Sequence, residues 1–453
     1  MGSVNGPSAL VIKATGIDYF TPANHGGEAI AQDGTAIPTL FQPLKIRDVT
    51  LRNRIIVSPM CMYSAEPDLN SPRVGAMTDY HIAHLGHFAL KGAALVFVEA
   101  QAVQPNGRIS PNDAGLWQHD TNSAQFQGLK RFVDFAHAQG AKVAVQLAHA
   151  GRKASVVAPW VAAGLGARAL RADTDVYGWP DNVVAPTGGI EMIWAGGPDS
   201  KNYHTPRALS TDEIHEVVRA FAKSAMTAVT AGVDVIEVHG AHGYLIHQFL
   251  SPVTNRRTDE YGGTFENRTR IVREIAKAIR DAIPAGVPLF LRLSGTEWLE
   301  NTPVAKDLGS WNVESTIRLA MELPTLGIDL IDVSSGGNHV QQEFQPHTHY
   351  QVDIAARVRK EIRSAGIHDL FVAAVGLITT PSGARDIVQE ADIDDGNVKE
   401  EAKAADSMVS GKEPQADCVF VARQFMRDPA WVLSVAKELG VKVTVPNQFK
   451  RAF

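Results

Sequence analysis

Cysteine, long apolar runs and an excess of positive charge are all scarce in this chain of 453 residues. Its two cysteines, Cys61 and Cys418, are too few for a disulfide framework, a cysteine-rich zinc site or a cysteine-ligated iron–sulfur cluster. The net charge of −6 argues against nucleic acid or an anionic membrane as the main partner. No run approaches the ~20 apolar residues of a membrane span, and the first residues lack a secretory-signal pattern. We therefore expect a cytoplasmic protein.

Several catalytic motifs are missing as well. The first predicted strand runs into Ser58-Pro59-Met60-Cys61, where a dinucleotide-binding fold would have its glycine fingerprint. The chain has no HExxH motif, no Ser-His-Asp order and no evident carboxylate pair. A Schiff-base aldolase would need a lysine at a strand end, whereas Lys153 lies several residues past its strand. These absences disfavour the corresponding enzyme classes.

Short apolar segments alternate with helical segments from residue 40 to near the C-terminus. Continuous apolar character is typical of parallel strands that are buried on both faces. A count of eight favours an α/β fold of the closed (β/α)8 type, the TIM barrel, over an open doubly wound sheet. The predicted strands are 55–58, 94–100, 142–147, 234–238, 288–293, 330–334, 371–375 and 418–421. The predicted helices are 80–90, 124–139, 210–231, 265–282, 312–326, 350–365, 381–390 and a last one that reaches 439.

We predict one barrel domain over residues 39–453, preceded by an irregular N-terminal arm, residues 1–38. Two excursions interrupt the barrel pattern. Residues 155–209, after the third strand, are rich in Pro, Gly and Trp, and a loop of this length is typically functional or a lid. Residues 390–415, before the eighth strand, carry eight acidic residues and three lysines, which is typical of a solvated surface insertion.

Polar residues cluster where the predicted strands end, and in a barrel these ends face one mouth. Each residue also has a purely structural interpretation, such as a buried cysteine or a core histidine, but the clustering favours an active site. His239 and His242 have a spacing that suits a metal, yet no nearby acidic ligand is evident, which disfavours a metal site. Arg292 lies within an apolar strand, so its guanidinium requires a partner.

The chain carries five specific motifs, which are LFQPL at 40–44, SPMCMY at 58–63, QLAHAGRK at 146–153, HGAHGYL at 239–245 and SPVTNRRTDEYGG at 251–263. In these motifs the chain resembles the old yellow enzyme family of FMN-dependent ene-reductases. It is most similar to the thermophilic-like subclass, which has a cysteine beside the flavin. The resemblance extends from about residue 39 to the C-terminus. It implies a (β/α)8 barrel that binds FMN non-covalently.

The resemblance also implies an FMN site. Cys61 corresponds to the residue that tunes the flavin near N5, and Arg292 to the cation near N1, where negative charge collects in the reduced ring. Gly376 and Arg423 correspond to the phosphate site, where many relatives have glycine in place of Ala422. The implied cofactor-binding residues are Pro59, Cys61, Ala100, Gln146, Arg292, Gly337, Gly376, Ala422 and Arg423.

By the same resemblance, His239 and His242 hold the carbonyl oxygen of the substrate, and Tyr244 donates a proton to its α-carbon. Tyr63 also contacts the substrate. The C-terminal tail resembles one that lends an arginine, here Arg451, to the active site of a neighbouring subunit. This implies a homodimer or a larger homo-oligomer.

The function implied by the resemblance is an NADPH dehydrogenase, with NADPH favoured over NADH. Reduced FMN would reduce the C=C bond of an activated alkene, such as an α,β-unsaturated carbonyl, a maleimide or a nitroalkene. Two alternatives stay open at the level of sequence. One is a flavin-free lyase or aldolase that uses the histidine pair, and the other is a barrel retained for binding or regulation.

Overall fold

The computed structural model describes residues 25–32, 34, 36–194, 202–345, 347–389 and 413–453. Residues 1–24 of the predicted arm and residues 390–412 of the predicted insertion lie outside the described residues. Within the described ranges, no helix combines the length and the apolar character that crossing a bilayer requires.

The described strands are β1 (Leu44–Ile46), β2 (Val49–Leu51), β3 (Ile55–Val57), β4 (Leu95–Ala102), β5 (Lys142–Ala148), β6 (Val184–Ala185), β7 (Arg207–Ala208), β8 (Val235–Gly240), β9 (Leu289–Ser294), β10 (Leu330–Ser334), β11 (Phe371–Val375) and β12 (Cys418–Val421). Eight of them form a closed barrel in the order β3, β4, β5, β8, β9, β10, β11, β12, and the ring closes where β12 pairs with β3. Every pair in this ring is parallel. The predicted (β/α)8 barrel is confirmed.

The described α-helices are α1 (Asp79–Leu90), α2 (Ala124–Ala138), α3 (Pro159–Gly164), α4 (Thr211–Thr230), α5 (Leu245–Leu250), α6 (Phe265–Ala282), α7 (Val313–Ala320), α8 (Val352–Ser364), α9 (Pro381–Val388), α10 (Arg423–Arg427) and α11 (Trp431–Glu438). The helix predicted at 312–326 is shorter than expected. It ends at Ala320, and a 3-10 turn follows over Leu323–Leu326. Pro324 accounts for the break, because proline has no N–H to continue an α-helix.

A hairpin that the sequence analysis missed closes the amino end of the barrel. Strands β1 and β2 pair antiparallel and alternate between buried and exposed residues. Their buried side chains pack against the barrel interior, which includes Phe97, Phe290 and Phe420. With one end of the barrel filled in this way, the opposite end is left for polar groups.

The excursion between β5 and α4 folds into local structure of its own. It contains α3 and the short parallel pair of β6 and β7. Buried apolar side chains, Val156, Ile193 and Tyr203, form a small separate cluster within it. This packing holds the segment near the barrel mouth, where Trp160 of α3 lines a cavity.

Candidate active site

Two joined cavities open at the carboxyl end of the barrel strands. The first has a volume of about 400 Å³ and the second about 390 Å³, and both lie in the range of small-molecule and cofactor sites. His242, Arg292 and Arg423 line both cavities. A single elongated ligand can therefore occupy the two together.

Most of the residues predicted at the strand ends meet around this space, because the carboxyl ends of the strands in a parallel barrel share one face. The second cavity includes Gly376 and Ala422. The predicted residues that line the first cavity are Pro59, Cys61, Tyr63, Ala100, Gln146, His239, His242, Tyr244, Arg292 and Arg423.

Two predicted residues lie elsewhere. The carbonyl oxygen of Gly337 accepts hydrogen bonds from Lys153 Nζ and Trp194 Nε1, each at 3.1 Å, and Gly337 lines neither cavity. A Cβ at this position would lie 2.7 Å from backbone atoms of His242, so glycine permits two loops to approach closely. The structure thus gives Gly337 a role in loop packing, and its cofactor contact stays a prediction. Arg451 is exposed and lines neither cavity of its own chain.

The imidazoles of His239 and His242 face each other at the end of β8. His239 Nε2 lies 3.3 Å from His242 Nδ1, and the rings cross at 89°. The amide of Ala241 donates to His239 Nδ1 at 3.2 Å, which places the His239 proton on Nε2. His242 Nε2 lies 2.6 Å from Ser334 Oγ. When that hydroxyl donates, His242 carries its proton on Nδ1, and two N–H groups converge on one place.

The backbone that presents the pair is held in an uncommon conformation. His242 has a φ of 59° and Gly243 a φ of 73°. Ser294 Oγ accepts from the His242 amide at 2.9 Å, and Lys153 Nζ donates to the His242 carbonyl at 2.9 Å. Left-handed backbone at a non-glycine residue persists only where its surroundings enforce it, and such positions cluster at active sites.

Both imidazoles of the pair are uncharged at neutral pH. Burial, followed by the positive charge of Arg292, lowers the pKa of His239 and of His242 well below the ordinary value. No group of three or more His, Cys, Asp or Glu side chains in the described part of the chain is placed to hold a metal ion. Two neutral N–H donors suit an oxygen that gains negative charge.

Tyr244 stands beside the histidine pair. Its ring meets the His239 ring edge-on, with 5.0 Å between the centroids, and Lys153 Nζ lies 5.0 Å from the Tyr244 centroid. Burial raises the pKa of Tyr244 well above the ordinary value, and Cys61 and Asp113 add to the shift. The phenol is therefore protonated at neutral pH and can act as a general acid.

Cys61 and Tyr63 follow β3 and also line the first cavity. Burial raises the pKa of the Cys61 thiol, with Asp113 and Glu99 adding to the effect, so this cysteine is a protonated thiol and a poor nucleophile. The Tyr63 ring contacts the Trp160 ring edge-on, with 5.6 Å between the centroids. The 155–209 excursion thereby contributes one wall of the cavity.

A polar layer lies inside the barrel next to the cavity. Arg292 Nε is 3.0 Å from Asp332 Oδ2, which confirms that Arg292 has a partner. Gln146 Nε2 donates to Glu237 Oε1 at 2.7 Å. Both carboxyls are fully buried and interact electrostatically, which the sequence analysis did not predict. The available signal was an acidic residue inside each of two largely apolar strands, Glu237 in β8 and Asp332 in β10, which the sequence analysis missed.

The second cavity has the character of an anion site. Segments that follow β11 and β12 line it, namely residues 376–379 and 422–424. Arg423, Arg427 and Arg292 contribute guanidinium groups. Fixed cations beside backbone N–H groups are the donors that phosphate groups prefer.

Comparison with known proteins agrees with this geometry. The sequence profile of the NADH:flavin oxidoreductase / NADH oxidase family matches residues 39–441. The chain belongs to this family. It is thereby a member of the old yellow enzyme family, an FMN-dependent oxidoreductase that draws on a nicotinamide reductant.

Two curated relatives cover nearly the whole chain. The NADH:flavin oxidoreductase FG08077 of Gibberella zeae is 41% identical over 446 residues, which are 98% of this chain and 95% of that protein. The NADPH dehydrogenase of Halalkalibacterium halodurans is 37% identical over 414 residues, or 91% of this chain and 98% of that protein. Morphinone reductase in complex with tetrahydroNAD has the same fold, with a TM-score of 0.61, 25% identity and coverage of 91% of this chain and 93% of that one.

The residues around the joined cavities fit FMN. The first cavity offers Gln146 and Arg292 to the polar edge of a flat ring, and the second offers Arg423 and Arg427 to a terminal phosphate. Gln146 donates one N–H to Glu237, which leaves its carbonyl oxygen free for a ring N–H. These residues would therefore hold the FMN that members of the old yellow enzyme family bind.

Proposed function

We propose that this protein is an NADPH-dependent reductase of activated alkenes. The observation that carries the proposal is the placement of two neutral imidazoles and one protonated phenol on the cavity that fits the FMN ring. An oxygen on the substrate would lie at the imidazoles, with its α-carbon near Tyr244. Relatives named NADPH dehydrogenase and a solved neighbour named morphinone reductase support this class of reaction.

When bound, FMN would supply the redox chemistry, which is hydride transfer from NADPH to the β-carbon of the alkene. The protein residues perform the remaining steps. His239 and His242 stabilise the negative charge that grows on the substrate oxygen. Tyr244 gives its phenolic proton to the α-carbon, and solvent restores that proton. The sum is one hydride and one proton added across the C=C bond, with NADP⁺ released.

We expect that His242→Ala weakens the binding of phenol-like ligands by about 10- to 100-fold. Such a ligand places a partly anionic oxygen at the histidine pair, and a hydrogen bond to a charged group contributes about 1.5–3 kcal/mol. His239→Ala should behave in the same way. Titration of the FMN-bound protein with p-hydroxybenzaldehyde, followed by the change in flavin absorbance, measures the affinity.

Ser334→Ala tests the orientation of the His242 proton and leaves both imidazoles in place. Without the hydroxyl 2.6 Å from Nε2, His242 is free to move its proton to Nε2 and lose the Nδ1 donor. The affinity should fall by a smaller factor than in His242→Ala. Ser335→Ala is the matched control, because Ser335 and Ser334 can both donate to Gln351 Oε1, at 2.9 and 3.5 Å, while Ser334 alone of the two also contacts a ring nitrogen of His242. If both histidine variants kept the affinity for the phenol-like ligand, the proposed hydrogen bonds from His239 and His242 to the ligand oxygen would be contradicted.

The colour of the purified protein and its response to NADPH distinguish the proposed reductase from the two alternatives, a flavin-free lyase or aldolase and a binding protein. A yellow protein that bleaches with NADPH under anaerobic conditions, and regains its colour when 2-cyclohexenone is added, supports the reductase. A colourless protein that cannot take up FMN would support a lyase or a binding protein. A yellow protein that is reduced by NADPH but never reoxidised by any alkene in a panel of enones, maleimides and nitroalkenes would contradict the proposed substrate class.

The proposed assembly is a homodimer or larger homo-oligomer in the cytoplasm, in which Arg451 reaches the active site of a neighbouring subunit. The exposed position of Arg451 on the C-terminal tail is compatible with this role. The proposed subclass, with Cys61 beside the flavin, is supported by the place of the Cys61 side chain in the first cavity.

A further inference from the structure

The polar layer of the barrel contains two carboxyls and only one guanidinium. Neither the binding of the substrate oxygen nor the proposed cofactor contacts require this excess of acidic groups. Strand register places Gln146 beside Glu237, and Arg292 beside Asp332. Glu237 and Asp332, which we call the carboxyl pair, are both 0% exposed, and Arg292 is 6% exposed. Two carboxylates and one guanidinium would leave a net negative charge on buried side chains. Burial of an uncompensated charge is costly, so one retained proton is the stable state.

The contacts within the layer show where the charge resides. Arg292 pairs with Asp332, at 3.0 Å, and donates to Ser58 Oγ at 3.4 Å. Glu237 accepts a hydrogen bond only from the neutral amide of Gln146, on Oε1. Among the described residues neither Glu237 Oε2 nor the two Asp332 oxygens has a hydrogen-bond partner, so the two carboxyls differ in the ion pair that Asp332 alone makes with Arg292. The ion pair thus belongs to Asp332, and Glu237 is the carboxyl that is better suited to be neutral.

We infer that the carboxyl pair holds one proton beside the FMN site and takes up a second proton when the cofactor gains negative charge on reduction. This inference rests on the proposed placement of the FMN ring at Arg292. Reduction draws the guanidinium towards the new negative charge and weakens its hold on Asp332. A proton from solvent then neutralises the negative charge of the carboxyl pair that Arg292 balances less well. Glu237 and Asp332 are positioning residues in this scheme, because they act on FMN through Arg292.

The electrostatics of the site support this inference. Burial, with a further contribution from Asp332, raises the pKa of Glu237, while Arg292 and Gln146 oppose the shift. Burial also raises the pKa of Asp332, against the opposing effect of Arg292. Since the two groups interact, their titration belongs to the pair.

Other titratable groups near the site must be distinguished from the pair. His239 lies on the same strand as Glu237, and burial keeps it neutral. Asp113 also lines the first cavity, and burial, with Glu99, raises its pKa to about 7. Lys153 donates to backbone carbonyls near His242, and burial lowers its pKa to about 7. Asp113 and Lys153 are therefore the groups that a control must exclude.

The test is the midpoint potential of bound FMN, measured by spectroelectrochemistry between about pH 6 and about pH 10. A two-electron reduction that takes up one proton changes its equilibrium constant tenfold per pH unit, or about 30 mV. Uptake of a second proton makes the change a hundredfold, or about 59 mV per pH unit. The unmodified protein should show the steeper slope over the part of this range in which the carboxyl pair holds one proton with oxidised FMN and two protons with reduced FMN.

The double variant Glu237→Gln/Asp332→Asn should remove the steeper section and leave about 30 mV per pH unit throughout, because no carboxyl of the pair remains to take up a proton. In Glu237→Gln alone, the amide keeps an oxygen that can accept from Gln146 and mimics the protonated acid, so Asp332 should still take up the second proton and the steeper section should persist. Asp113→Asn is the matched control, and the steeper section should persist in it as well. A single slope of about 30 mV in the unmodified protein, or a steeper section that survives the double variant, would overturn the inference. A protein that binds no FMN would instead contradict the cofactor placement on which the inference rests.

Discussion

Tyr244→Phe is expected to slow reduction of an alkene by the FMN-bound protein by about 10²- to 10⁴-fold, the usual contribution of a general acid. The phenol is the group placed to protonate the α-carbon, and burial keeps its proton in place at neutral pH. Reduction of FMN by NADPH requires no proton from this residue, so that rate should change by less than about threefold. Anaerobic stopped-flow absorbance, with the two half-reactions started separately, measures both rates.

A neighbouring lysine, Lys153, supports the role of Tyr244 as the proton donor. After Tyr244 donates, the phenolate lies beside Lys153, whose Nζ is 5.0 Å from the ring centroid and stabilises the phenolate when the amine is protonated. Tyr63→Phe is the matched control, because it removes a second phenol from the same cavity and leaves the proposed donor intact. It should alter the affinity for the alkene more than the rate. Equal losses in both half-reactions of Tyr244→Phe would rule out the proton-donor role.

Arg292→Ala is expected to lower the free energy of unfolding of the FMN-free protein by about 3–5 kcal/mol and to abolish tight FMN binding. The variant leaves the Asp332 carboxyl fully buried without its cation, and removal of one partner from a buried ion pair has this cost. The loss should be smaller at low pH, because protonated Asp332 carries no charge to bury. Urea denaturation at several pH values measures the loss.

Two further variants separate charge from packing. Arg256→Ala removes an exposed arginine and should change the free energy of unfolding by less than about 0.5 kcal/mol. The double variant Arg292→Ala/Asp332→Asn should recover part of the loss at neutral pH, because asparagine brings no charge into the layer. If the double variant were as unstable as Arg292→Ala at every pH, the ion pair would not be the source of the effect.

Strand count and linear motifs were sufficient to predict the barrel and most of the residues around its mouth. Gln146, His239 and Arg423 occupy strand ends or the residues directly after them, and a parallel barrel brings all such positions to one face. Gly337 satisfied the same rule of position, yet it supports a neighbouring loop. The rule locates a residue along the strand axis, but it does not say whether a loop turns into the cavity or away from it.

The sequence by itself determined the fold and the chemical character of the site, because apolar periodicity and short local motifs are properties of adjacent residues. It also indicated that Arg292 must have a partner. Only the tertiary structure decided that the partner is Asp332, that Glu237 lies in the same layer and that Ser334 contacts His242. These contacts join strands that are 40 or more residues apart in the chain. Their existence depends on inter-strand register, which no local pattern in a single sequence specifies.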